Sequence, residues 1–142
     1  MRDLLGRGWT GRELRYAALT RAARRWKCDA VATGHQLDDQ AETVILHLLR
    51  GTRLRALGAI APKRPLAPGI ALIRPLLPLS RKEIELYLER HGLEHRVDRS
   101  NQSLEFTRNW LRHRILPLLA QRQPRVREHL AGIAAQVRRE YD

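Results

Sequence analysis

Apolar residues return at helical spacing between Arg12 and Lys27, where Tyr16, Leu19, Ala23 and Trp26 are interleaved with Arg15, Arg21, Arg24 and Arg25. That pattern predicts an amphipathic helix with a basic outer side. Ala30-Val31-Ala32-Thr33 then predicts a short buried strand closed by Gly34, where the chain can turn without a side-chain clash. Ala41, Val44, Ile45, Leu48 and Leu49 follow at i, i+3, i+4, i+7 and i+8, the stripe of a core-facing helix, and Gly51 stands where its C-terminal cap belongs. Helix, strand and helix in that order predict an α/β sheet.

Pro62, Pro65 and Pro68, with Arg53, Arg55, Lys63 and Arg64, predict a surface loop between Thr52 and Gly69. Ile70 to Ile73 has strand character and ends at Arg74-Pro75-Leu76-Leu77-Pro78. Ser80 followed three residues later by Glu83 is a capping-box signature, and Ile84, Tyr87, Leu88 and His91 continue one helical face up to Gly92. Trp110, Leu111, Ile115, Leu118 and Leu119 predict a helix that Pro117 distorts near its end, and Val126, Leu130, Ile133, Ala134 and Val137 mark a last one. Residues 1–78 therefore read as an α/β portion and 79–142 as a mostly helical continuation, with no internal repeat.

The 142 residues, 43% of them hydrophobic, suffice for one domain or most of one. Against 15 acids stand 27 Lys and Arg, a formal charge of +12, which suits a polyanion such as RNA better than a neutral metabolite. Only Lys27, Lys63 and Lys82 are lysines, so a genome rich in GC codons would produce the same excess of Arg. A single cysteine, Cys28, excludes an internal disulfide and reads as a buried, inert thiol. No stretch approaches the ~20 apolar residues that span a bilayer, and the first residues lack a secretion signal, so no membrane partner and a cytoplasmic location are expected.

The chemistry concentrates in Thr33-Gly34-His35-Gln36-Leu37-Asp38-Asp39-Gln40-Ala41-Glu42-Thr43, where a strand gives way to a helix at the expected carboxyl edge of the sheet. Asp38 and Glu42 are four apart and Asp39 and Glu42 three apart, so the acids gather near one helix end just after His35. Acids in a first turn complement the helix dipole, with Asp38 as a possible cap. A carboxylate cluster beside a phosphate site instead holds Mg²⁺ and accepts a proton from an attacking amine. Both readings stand together for different members of the cluster. One His and several carboxylates, without a second His or Cys at ligand spacing, fit a hard cation better than zinc. Trp9, Trp26 and Trp110 read as packing residues, and an Asx turn or a surface ion pair explains Asp98 and Asn101 as readily as function does.

The string GHQLDDQAET, with Arg50-Gly51 behind it, resembles the signature of the tRNA(Ile)-lysidine synthases of the PP-loop ATP pyrophosphatase superfamily. Four further segments match in order: the basic helix at Arg12-Glu13-Leu14-Arg15-Tyr16, Arg74-Pro75-Leu76-Leu77, Asp98-Arg99-Ser100-Asn101, and Arg108-Asn109-Trp110-Leu111-Arg112. The resemblance implies a Rossmann-like parallel sheet with flanking helices and a helical C-terminal part. It implies adenylation of the wobble cytidine of a tRNA(Ile) with a CAU anticodon by ATP and Mg²⁺, then displacement of AMP by free lysine. On that basis Asp39 and Glu42 are the catalytic candidates, Gly34 and His35 lie by the nucleotide, and Asp38 and Asp39 are candidate metal ligands. Arg74, Arg108 and Arg112 are expected on phosphates or tRNA, and Asp98 and Asn101 in positioning roles. Which carboxylate meets metal and which meets the lysine ammonium stays open.

The family's S-G-G-x-D-S loop, whose amides hold ATP phosphates, does not occur here; Gly6, Gly8 and Gly11 come without its serines and aspartate. The fold is therefore expected to be incomplete at its N-terminus and this fragment alone inactive, whether by truncation, a split enzyme or degeneration. A missing N-terminal half or a homodimer would be the completing partner. The alternatives are a non-catalytic basic RNA-binding remnant and another PP-loop tRNA modifier such as a thiolase, against which the lone Cys28 argues.

Overall fold

The computed structural model describes residues 10–94 and 105–141, which divide into two compact units, residues 10–33 with 62–75 and residues 34–61 with 76–141. In the first unit α1 (Gly11–Arg25) is started by a capping box: the Thr10 amide and hydroxyl donate to Glu13 Oε2 at 2.7 and 2.8 Å, and the Glu13 amide donates back to Thr10 Oγ1. Three strands follow, β1 (Ala30–Ala32), β2 (Lys63–Ala67) and β3 (Ile70–Ile73), in the order β1-β3-β2. β1 runs parallel to β3, with Val31 opposite Leu72. β2 runs antiparallel to β3, so the sheet is mixed where a parallel one was expected.

The segment read as a loop between Thr52 and Gly69 thus contains β2, and its prolines do not prevent pairing. Pro65 sits opposite Ala71 on a strand with only one neighbour among the described residues, where a missing N–H costs no ladder bond on the outer side. Gly69 closes the hairpin at φ +74°, a conformation that favours glycine. Leu72 and Ile70 are buried, with Ala23 the buried residue of α1. Two packing expectations fail here: Trp26 is 71% exposed at the end of α1, and Cys28 is exposed.

The second unit is helical. It comprises α2 (Leu37–Leu49), a 3-10 turn (Leu54–Gly58), α3 (Arg81–Arg90), α4 (Glu105–Trp110), a π turn (Leu111–Ile115), α5 (Leu116–Arg122) and α6 (Val126–Tyr141). Its core joins Ala41, Ile45 and Leu46 of α2 to Leu111 and Leu116, with Ile115 and Leu130 packed against them. Leu48 and Leu49, predicted in the stripe, are exposed, as is Trp110. The 3-10 turn is fastened at both sides. Gln40 exchanges two hydrogen bonds with the Ile60 backbone at 2.9 and 3.1 Å, and Arg138 donates to the Gly58 and Ile60 carbonyls.

Pro117 acts one turn earlier than expected. Lacking an N–H, it cannot bond the carbonyl four residues back. The ladder widens ahead of it, the Leu116 amide reaching Leu111, and Pro117 falls in the first turn of α5, where no donor is needed. Ser80 caps α3 as predicted, its amide and hydroxyl donating to Glu83 Oε2 at 2.7 and 2.6 Å, and Gly92 follows the helix at φ +60°.

Candidate active site

The acids of the GHQLDDQAET segment lie on the first two turns of α2, and each meets a partner brought from far along the chain. The cap is Gln36, not Asp38, with backbone φ −127°. Its amide donates to Asp39 Oδ2 at 2.9 Å, so Asp39 closes the helix start. Asp38 turns outward from that task and accepts from the Arg81 amide at 2.8 Å and from Arg127 Nε at 2.7 Å. One carboxylate thereby fastens the starts of α2 and α3 to α6.

Glu42 is fully buried, and Arg112 grips it with both prongs of its guanidinium: Nε to Oε1 at 2.7 Å and Nη2 to Oε2 at 3.1 Å. The same Nη2 lies 3.3 Å from Asp39 Oδ1. Arg108 donates to Thr43 Oγ1 at 3.3 Å, and Thr43 in turn donates to the Asp39 carbonyl at 2.7 Å. Arg112 projects from the π turn, so the register shift forced by Pro117 lies in the turn that carries its guanidinium. Burial pushes the Glu42 carboxyl above the ordinary range. The Arg112 hydrogen bonds and charge pull it back down, Asp39 adds to the rise and Arg108 opposes it. Arg112 itself is raised, chiefly by its hydrogen bond to Glu42 and against the effect of burial.

The arrangement brings Asp39, Glu42, Thr43, Arg108 and Arg112 into one network, while Asp38 pairs separately with Arg127 and the Arg81 amide. Arg112 is thus not a solvated face residue: its fork is spent on carboxylates. His35 is partly buried just ahead of the helix, and Gly34 is exposed; a methyl group added at Gly34 would meet open space, so neither its backbone angle nor packing among the described residues demands glycine. Arg74 belongs to the other unit, where it is buried. Asp98 and Asn101 lie outside the described residues. Arg127, Arg81 and Thr43 were not anticipated. Arg127 stands 89 positions from Asp38, and nothing in its helical surroundings distinguishes it from other arginines.

As a metal site the cluster fits poorly. The three carboxylates are met by two guanidiniums and two backbone amides, both oxygens of Asp38 and of Asp39 are engaged, and no group of three or more His, Cys, Asp or Glu among the described residues forms a cation cage. What the geometry does provide is a buried, raised carboxylate held beside a second one, the setting of a proton acceptor.

A family model described as a PP-loop domain matches residues 8–119. The chain is 44% identical over 127 residues to a tRNA(Ile)-lysidine synthase of Pseudomonas fluorescens, covering 89% of this chain and 28% of that protein. The lysidine synthase of Alkalilimnicola ehrlichii is 47% identical over 113 residues, and that of Geobacillus kaustophilus 42% over 124. This chain thus spans about a quarter of the length of these curated relatives, 25–28%. Among solved structures, the U34-tRNA thiolase NcsA from Methanococcus maripaludis superposes with a TM-score of 0.70 at 24% identity, covering 97% of this chain and 47% of that one; the likeness is one of fold.

Proposed function

Because this chain belongs to the PP-loop domain family, we propose that it is the carboxylate-bearing part of an ATP-dependent ligase that joins lysine to the wobble cytidine of a tRNA(Ile) with a CAU anticodon. In the first half-reaction the cytidine C2 oxygen attacks the ATP α-phosphorus and pyrophosphate leaves. In the second the lysine ε-amine attacks C2, the C2–O bond breaks and AMP leaves. The amine must first lose the proton of its ammonium form, and Glu42 with Asp39 is the group assigned to take it and to orient the nitrogen. The observation that carries this reading is the buried Glu42 carboxylate joined to Asp39 through Arg112, on the GHQLDDQAET segment that resembles the lysidine synthase signature.

Gly34 and His35 are assigned to the nucleotide, the open space over Gly34 allowing close approach. Arg108 and Arg74 are assigned to phosphate or tRNA, and Asp98 and Asn101 to positioning. Arg112 keeps a role in this scheme as the holder of Glu42. Asp38 and Asp39 do not fit a resident cation, so Mg²⁺ would be held by the nucleotide's own phosphate oxygens and would offset their charge there. The cytoplasm is the compartment of such chemistry, and no described helix is long and apolar enough to cross a membrane.

The test replaces the matched segment of the Pseudomonas fluorescens relative with residues of this chain and follows ATP-dependent incorporation of labelled lysine into the tRNA. The hybrid is expected to transfer lysine, and its Glu42→Gln form to lose at least about 100-fold in rate. A folded hybrid that releases no AMP with lysine and tRNA present would overturn the assignment.

A further inference from the structure

We propose that Arg12, Arg64 and Arg74, gathered around Tyr16, form a seat for a phosphate group in the first unit. All four residues belong to that unit, on α1, on β2 and just after β3. The Arg64 guanidinium carbon lies 5.1 Å from the Tyr16 ring centroid and that of Arg12 5.7 Å. Arg74 reaches the same phenol from a position only 6% exposed. β1, which also packs against α1, contributes Ala30, Val31 and Ala32 and brings no charge.

Three guanidiniums collected at one phenol repel one another, and a bound anion relieves that repulsion. Guanidinium forks match phosphate oxygens in pairs, and the phenol can donate a further hydrogen bond. Burial has already restricted Arg74, so less of its freedom is lost when an anion arrives. The phenol records the field: partial burial raises its pKa, yet hydrogen bonding from Arg64 and Arg74 with the charges of Arg12 and Arg74 carries it below the ordinary tyrosine range. The seat extends the proposed function, since it supplies a place for a phosphate of the RNA backbone or of the nucleotide. It names Arg12, Arg64 and Tyr16 as ligands beside Arg74.

The phenol is also the reporter. Its ionisation is followed by ultraviolet absorbance in the purified protein alone, with a short RNA stem-loop, and with inorganic pyrophosphate. Tyr16→Phe serves as the blank that removes the signals of Tyr87 and Tyr141. A seated phosphate neutralises the arginines and moves the Tyr16 midpoint upward, and Arg64→Gln and Arg12→Gln each weaken the responsible probe by about tenfold. A response to RNA alone assigns the seat to the backbone, and a response to pyrophosphate alone assigns it to the nucleotide. If RNA binds while the phenol stays unmoved, the seat is refuted and the RNA-modifying reading survives. If pyrophosphate moves the phenol while RNA does not bind, the seat stands and the RNA reading fails. Silence to both probes overturns the seat.

Discussion

At Glu42 the requirements of stability and chemistry pull apart. Its folded pKa is raised by burial, so its contribution to stability is complete below about pH 4.3, the unperturbed glutamate value, and declines as pH rises through the higher folded value. Thermal melts across mildly acidic to neutral pH should therefore show the native protein losing stability relative to Glu42→Gln as pH increases; a gap that narrowed in the opposite sense would mean that Arg112 outweighs burial. Arg112 presents the reverse case. Removing it leaves a fully buried carboxylate without its cation, and since the Arg112 side chain is 33% exposed, Arg112→Ala should cost about 3 kcal/mol, the low end of the range for broken buried pairs, in urea denaturation.

Element boundaries depend on a few polar residues whose energetic weights differ. Ser80 caps α3 on the surface, so Ser80→Ala should cost about 1 kcal/mol. Asp38 accepts a backbone amide and an arginine at once and holds three helices together, so Asp38→Ala should cost more, about 2–3 kcal/mol. Comparing the two urea midpoints checks the ranking. Equal losses would mean that the link from Asp38 to α6 contributes nothing. The π turn is the other element-scale device, because the proline that shifts the ladder stands just beyond the turn from which Arg112 reaches Glu42.

Over the whole chain the formal charge of +12 makes binding to RNA an electrostatic matter before it is a specific one. For about four phosphate contacts on a duplex stem, affinity should fall on the order of 100-fold between 50 and 200 mM salt. A filter-binding series checks this, and a flat response would mean that the basic surface does not meet the backbone. The charges are not equivalent: Arg112 and Arg127 are committed to carboxylates, whereas Arg12, Arg64 and Arg74 meet on a phenol.

Local order was enough to write α1, β1, α2, β3 and α3 into the amino-acid pattern, because caps, glycines and periodic apolar residues act over a few positions. The acid-rich start of α2 was legible for the same reason. β2 was hidden, since prolines forbid a central strand and only the sheet order shows that, among the described residues, this one has a neighbour on one side alone. The partners of the acids were hidden too: Arg112 and Arg127 lie 70 and 89 residues from Glu42 and Asp38. Which arginines neutralise buried carboxylates and which collect around Tyr16 is a matter of folding geometry, because electrostatic attraction depends on distance in space and carries no trace in spacing along the chain.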